Sequence, residues 1–382
     1  MKKLFPLLGA LFLLAAPLGA RGGEPLRLAA LAARTGDAAV SSLAMYQAVH
    51  FAVDEINAAG GLLDQQVEVV EFDSQSTALG SRQAAREAVA AGVLAVIGAT
   101  WSSHSLAAAP VLQEAGVPMI SPISTHPDVT RLGDCIFRVC FTDPFQGSVM
   151  ARFAREDLKA ATAVTLVNVS RTYSMSLADV FQENFTRLGG RIAWRGEFLA
   201  DAANFGEILE TVRRLAPDVI FLPGDYRDSA FIIGQTRNMG IQSLILGGDG
   251  FGPRLYDYIG SLADGCFYTT HWSRESPLPR SRAFIRRWEE KNGELRQTTI
   301  PLAYDAVMVL ADAVRRAGSL DRKKVRAALA ATRDFPGVTG SLSFDENGDA
   351  VKPVMIEKLG NGKANFIRAV EPPSPVVPAA VR

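Results

Sequence analysis

The sequence predicts an α/β protein built from two doubly wound units in series, each a parallel sheet covered by helices. Three observations carry the prediction. Strand-like and helix-like stretches alternate along the chain, the alternation restarts after "FTDPFQG" (141–147), and 382 residues with 48% apolar content suffice for two cores of ordinary size.

The first unit opens with the apolar strand "LRLAALA" (26–32). A helix over 42–59 follows, because Met45, Val49, Ala52, Val53 and Ile56 recur at helical spacing and Gly60-Gly61 stops the pattern. "VEVVEF" (67–72), a helix over 79–91, "VLAVIG" (93–98), a helix over 103–116 and "VPMIS" (117–121) continue the order. In the second unit a helix over 146–158 precedes "TAVTLVN" (162–168), a helix over 174–188 and "GRIAWRGEF" (190–198). A helix over 204–215, "DVIFLPG" (218–224), a helix over 228–239 and "SLILGGDG" (243–250) complete it. Amphipathic helices over 279–292, 301–317 and 321–330 follow "CFYTTHWS", and "GSLSFDENGDAVKPVMIEKL" reads as strands around an Asn347-Gly348 turn. The Pro-rich end, "EPPSPVVPAAVR" (371–382), reads as a loose tail. No short period repeats, which excludes a solenoid.

Forty basic residues balance forty acidic ones without a block of either sign, so neither nucleic acid nor an anionic membrane is an expected partner. A small molecule is. Residues 1–20, "MKKLFPLLGALFLLAAPLGA", place Lys2 and Lys3 before an apolar run that ends in small residues, the layout of a secretory signal peptide. No later stretch approaches the roughly 20 apolar residues of a membrane span. An exported, soluble protein is expected, which in a bacterial cell means the periplasm. Cys135, Cys140 and Cys266 are the only thiols. Positions five apart on a strand lie roughly 16 Å apart, beyond the about 7 Å between Cα atoms that a disulfide tolerates, so Cys135 and Cys140 are expected buried and unbridged.

Catalytic, metal and cofactor chemistry find little support. The first strand-to-helix turn, "LAARTGDAAVSS", has only Gly36 where a dinucleotide site needs G-x-G-x-x-G, and no P-loop occurs. "DENGDA" spaces Asp345, Asn347 and Asp349 like a calcium loop but puts Ala350 and Ile356 where glycine and glutamate are required. His50, His104, His126 and His271 have no zinc spacing. "WSSHS" (101–105) lacks the small neighbours of a nucleophile elbow, and Ser102 and His104, two apart at a helix start, do not face each other.

That stretch suits binding better than reaction. Free N–H groups at a helix start attract carboxylates, and ligands of open α/β sheets settle beyond the carboxyl ends of strands. Ser102 and Ser103 lie at such a start, and "SPISTHPDVT" (121–130), with Ser124 and Thr125, follows the next strand, so the two loops suggest one pocket. Plain helix capping is the alternative use of the same hydroxyls.

At "AVDEINAAGG" (52–61), "VIGATWSSHSLAAAPVLQEAGVPMISPISTHPDVT" (96–130), "FRVCFTDPFQG" (137–147), "GDYRDSAFIIGQTRNMGI" (224–241), "GGDGF" (247–251), "AYDAV" (303–307) and "FDENGDA" (344–350) the chain resembles a known family. It is similar, from about Leu26 to Ile367, to the type I periplasmic solute-binding proteins of the leucine/isoleucine/valine-binding family of ABC importers. The resemblance implies a clamshell with a three-segment hinge near 141–144, 271–275 and 347–351. Lobe I would comprise 26–142 and 274–347, and lobe II 143–272 and 350–370. It implies that Ser102, with Ser103 beside it and help from Thr125, holds a ligand's α-carboxylate. The Ile123 carbonyl, the Thr125 hydroxyl and Asp249 would meet the α-ammonium, while Tyr173 and Tyr226 close over the ligand from the second lobe. A zwitterion taken out of water needs both charges matched.

Three departures bear on specificity. Asp249 stands where the leucine-binding members carry a longer glutamate, Trp101 where they have a bridged cysteine, and Ser41 where a tyrosine packs on the ligand. Trp101 and the vacated tyrosine position either reshape the pocket for a larger, aromatic side chain or leave Trp101 packed against its own lobe. The implied function is capture of an amino acid, branched-chain, aliphatic or aromatic, by a monomer that delivers it to an inner-membrane ABC permease without chemistry of its own. A ligand-sensing receptor module of the same fold, binding an amide or small carboxylate, is the alternative.

Overall fold

Strands β1 (Leu26–Ala32), β2 (Val67–Asp73), β3 (Ala95–Gly98), β4 (Met119–Ser121) and β5 (Ile136–Arg138) form one parallel sheet in the order β2-β1-β3-β4-β5. The computed structural model describes residues 24–200 and 202–372; the expected signal peptide and the tail from residue 373 lie outside them. The connecting helices are α1 (Ala39–Ala58), α2 (Ala78–Ala90), α3 (Ser102–Glu114) and the single turn α4 (Asp128–Arg131). One face of the sheet packs on α2 and α3 through residues such as Ala85, Val96, Leu112 and Met119. The other face meets α1.

After β5 the chain passes into α5 (Asp143–Arg152), whose end widens into a π turn over Phe153–Asp157. A second sheet follows. Its parallel strands are β6 (Thr162–Asn168), β7 (Arg191–Phe198), β8 (Val219–Leu222), β9 (Leu244–Gly247) and β10 (Phe267–Thr270). Helices α6 (Thr172–Arg187), α7 (Gly206–Leu215), α8 (Tyr226–Asn238) and α9 (Leu255–Ile259) connect them.

The chain then returns. Helices α10 (Pro279–Asn292), α11 (Thr299–Ala317) and α12 (Arg322–Ala330) join the core that β1 and α1 line, where Phe51, Phe284, Trp288 and Tyr304 cluster. Short strands β11 (Phe335–Gly337), β12 (Gly340–Phe344) and β13 (Ala350–Val351) make a small antiparallel sheet around the Asn347-Gly348 turn. In that turn the Asp345 carboxylate accepts from the backbone N–H of Asn347 and Asp349. A last crossing puts β14 (Val354–Gly360) antiparallel to β10, and β15 (Lys363–Val370) on its outer edge, giving the order β15-β14-β10-β9-β8-β6-β7.

Strand ends and the final hairpin differ from expectation. In "CIFRVCF" the strand is Ile136–Arg138; Val139 N–H still donates to the Ser121 carbonyl at 3.1 Å, and the chain then leaves the sheet edge toward α5. Strand β15 was not foreseen, although Asn361 (φ 56°) and Gly362 (φ 77°) are an Asn-Gly turn with both angles positive, which ties β14 to β15. Cys135, Cys140 and Cys266 are free and buried.

A cleft at two facing switch points

Each sheet reverses its strand order once, between β1 and β3 in the first and between β6 and β8 in the second. Loops diverge at such a point and leave a crevice beyond the carboxyl ends of the strands. Here two crevices face each other across a cavity of about 200 Å³. Asp37 and Trp101 reach it from the first sheet, Arg171 and Asp225 from the second. At Gly98 the end of β3 passes so close to β1 that a Cβ would lie 2.0 Å from the Leu31 carbonyl oxygen, and the φ of +141° also requires glycine. The sharp exit from β3 delivers Trp101 and the start of α3 to the cleft.

The N-cap of α3, Trp101, supplies no side-chain acceptor, and its carbonyl takes the N–H groups of His104 and Ser105. The amides of Ser102 and Ser103 are left as the open donors of that end, with the positive pole of the helix behind them. Both residues line the cavity. The Ser102 hydroxyl accepts from His126 N–H at 3.2 Å, which ties α3 to the neighbouring 121–130 loop. From that loop Ile123 and Thr125 also face the cavity. Ser41 does too, with its hydroxyl turned back to the Ala38 carbonyl.

Ser124 corrects the sequence reading. It is fully buried behind the cavity, where its hydroxyl bonds the Ala99 carbonyl and the Ser105 hydroxyl at 2.7 Å. Its N–H goes to Ser121 and its carbonyl to Arg138. Every polar atom of Ser124 is engaged in holding the two loops together, so none reaches the cavity.

Asp249, Tyr173 and Tyr226 line the cleft from the second sheet. Asp249 follows β9 and is gripped from three sides. Its N–H donates to Gln146 Oε1 at 2.8 Å, the next N–H, of Gly250, donates to the Tyr173 hydroxyl, and His271 Nε2 stands 3.0 Å from Asp249 Oδ2. Burial holds the His271 imidazole below its ordinary range against the opposing pull of Asp249, so a neutral ring donates to the carboxylate. Among the described residues the other oxygen, Asp249 Oδ1, is buried without a hydrogen-bond partner. A buried, unmatched carboxylate oxygen beside a cavity is a receptor for a cation.

Trp101 is engaged within the protein. His104 stacks on it at 5.3 Å between ring centroids, and the Arg171 guanidinium lies 4.2 Å from its ring centre. Arg171 also pairs with Asp37 at 3.3 Å, so this aromatic and charged contact bridges the two sides of the cleft. Trp101 therefore joins the two lobes while it also lines the cavity.

His104 is 2% exposed, and burial lowers its pKa to about 4, with a bond to the Ser76 backbone pulling the other way. An unfolded chain protonates this ring near 6.5, so the unfolded state gains a proton between about pH 6.5 and 4 that the fold refuses. The stability involved is present above that window and lost as pH falls through it, on the order of 3 kcal/mol. In His104→Gln the titration is gone. The wild type's stability relative to the variant should therefore fall by about that amount from pH 7 to pH 4 in urea unfolding, and a pH-independent difference would contradict a buried neutral imidazole.

Sequence reasoning passed over Arg171, Asp225, His271 and Arg138. The first two follow strands in the same way as Ser102, so the rule that pointed to "WSSHS" would have found them in "VSRTY" and "GDYRD". His271 and Arg138 act through tertiary contacts that no local pattern announces.

Two α/β lobes that meet at their switch points around a charged cleft define a solute-binding protein of the clamshell type. The chain belongs to the periplasmic binding protein family, whose model it matches over residues 25–364. Among solved structures it is similar to a leucine-binding protein LivK from Thermotoga maritima, at 36% identity and TM-score 0.87, covering 91% of this chain and 99% of that one. The substrate-binding protein LivJ of a branched-chain amino acid transporter from Streptococcus pneumoniae, in complex with isoleucine, is 30% identical at TM-score 0.87, covering 91% and 100%. A leucine-, isoleucine-, valine-, threonine- and alanine-binding protein of Pseudomonas aeruginosa is 28% identical over 300 residues, 78% of this chain and 80% of that protein. The family binds solutes and is not enzymatic.

Proposed function

We propose that this protein captures an α-amino acid in the periplasm and delivers it to an ABC permease in the inner membrane, acting as a monomer. The carrying observation is the pairing of two unmatched charge receptors in one cavity: the open amides of Ser102 and Ser103 on one lobe, and Asp249 Oδ1 on the other. In this reading the α-carboxylate sits on the α3 terminus, and the α-ammonium lies between Asp249, the Thr125 hydroxyl and the Ile123 carbonyl. Tyr173 and Tyr226 cover the ligand from the second lobe. Because the two receptors belong to different lobes, a zwitterion bridges them and favours the closed form, the differential contact that a closing ligand must make.

The relatives support the reading, since leucine-binding and branched-chain amino acid transporter proteins align over nearly the whole chain. No described helix is long and apolar enough to cross a membrane, and the sequence-predicted export signal agrees with a periplasmic site of action. A thermal-shift screen of amino acids, small carboxylates and amides tests it. An amino acid at a hundredfold excess over its Kd should add about 2.7 kcal/mol of stability. Stabilisation by carboxylates or amides alone would contradict the reading.

A further inference from the structure

Asp225 occupies the N-cap position of α8 in an extended conformation, φ −75° and ψ 166°, where an aspartate ordinarily accepts from the N–H groups of the first turn. It does not. No side-chain cap bond forms, and among the described residues its carboxylate accepts no hydrogen bond; the nearest cation, Arg171 Nε, is 3.9 Å away. The carboxylate instead lines the cleft, into which 33% of the side chain is exposed.

The surroundings are short of positive charge. Among the described residues, four aspartates, Asp37, Asp225, Asp228 and Asp249, line the cavity together with two arginines, Arg171 and Arg227. Partial burial in the cleft wall, with Asp228, Asp249 and Asp37 adding to it, pushes Asp225 up to about 6 in spite of the Arg171 guanidinium. Arg171 is already committed to Asp37 and to the Trp101 ring. Among the described residues of the lining, Val40 and Ile123 are the aliphatic side chains, and Tyr173, Tyr226 and Tyr258 add aromatic surfaces that a cation can approach.

We propose that Asp225 is a specificity-determining residue that reads the ligand's side chain, and that the cleft prefers an amino acid whose side chain ends in a protonated nitrogen over a branched-chain one. The inference rests on the amino-acid reading given above: Asp249 takes the α-ammonium, and Asp225 takes the second cation.

Isothermal titration of L-ornithine, L-lysine, L-arginine, L-leucine and L-glutamate, at neutral pH, into the wild type and Asp225→Asn tests it. A basic amino acid should bind the wild type at least tenfold tighter than leucine. Asp225→Asn should remove at least tenfold more affinity from the basic amino acid than from leucine, and the near-isosteric variant should retain the wild-type unfolding midpoint. The inference is overturned if leucine binds as tightly as the basic amino acids, if glutamate is preferred, or if the substitution weakens every ligand equally; in each case amino-acid binding itself stands. If none of the five nor any other amino acid binds, the amino-acid reading fails and this inference fails with it. A variant that loses its fold is replaced by Asp225→Glu, which must keep the preference for a basic ligand.

Discussion

Asp249→Ala is expected to weaken binding of the cognate amino acid about a hundredfold, roughly 2.7 kcal/mol, because the ligand's ammonium would remain buried in the closed cleft without its carboxylate. Asp249 is held in place by Gln146, His271 and the Tyr173–Gly250 contact, so the effect lies in the missing charge rather than in a displaced loop. Asp249→Asn keeps an acceptor oxygen and loses the charge, and should fall between the two. Equilibrium dialysis with labelled ligand reads both. Unchanged affinity in the alanine variant would place the ammonium elsewhere.

Arg138→Met should cost on the order of 3–5 kcal/mol of folding stability, the range for breaking a buried ion pair from one side. Arg138 is fully buried at the end of β5. Its guanidinium donates to the carbonyls of Ser124 (2.6 Å), His126 (2.8 Å) and Pro127 (3.2 Å) and to the Thr130 hydroxyl (2.9 Å), while its Nε lies 2.6 Å from Asp349 Oδ1. One side chain thus fastens the 121–130 loop of the cleft to the segment around Asp349, just before the chain enters β13. Removing it takes the guanidinium from three carbonyls and from the Asp349 carboxylate, which keeps only the Thr130 hydroxyl among these contacts. Arg138→Lys should recover only a fraction, since a point charge cannot span five acceptors arranged around a planar fork. Urea unfolding measures the loss, and a difference below about 1 kcal/mol would mean that water replaces the guanidinium.

The alternation of strands and helices was legible because each lobe buries a parallel sheet on both faces. That burial writes continuous apolar runs such as "TAVTLVN", which β6 reproduces at Thr162–Asn168. The cleft was legible for a related reason, since residues directly after a strand are carried to the carboxyl edge, and Ser102, Thr125, Tyr173, Tyr226 and Asp249 all arrive there. What escaped depended on distance in sequence. Ser124 looks like Thr125 in the chain, and only the Ser105 and Ala99 contacts reveal that it faces inward. His271 is 22 residues from Asp249, and Arg171 is 134 from Asp37. Trp101 could be read two ways from its neighbours, and the Arg171 contact from the facing lobe belonged to neither reading.

The most direct test of the central claim is isothermal titration of the twenty amino acids into the purified wild type and the Asp249→Ala variant. The account predicts at least one amino acid with Kd below about 10 μM, an affinity near 7 kcal/mol, that the variant loses by about a hundredfold. It would be contradicted if no amino acid bound more tightly than about 1 mM while a solute lacking an α-ammonium did.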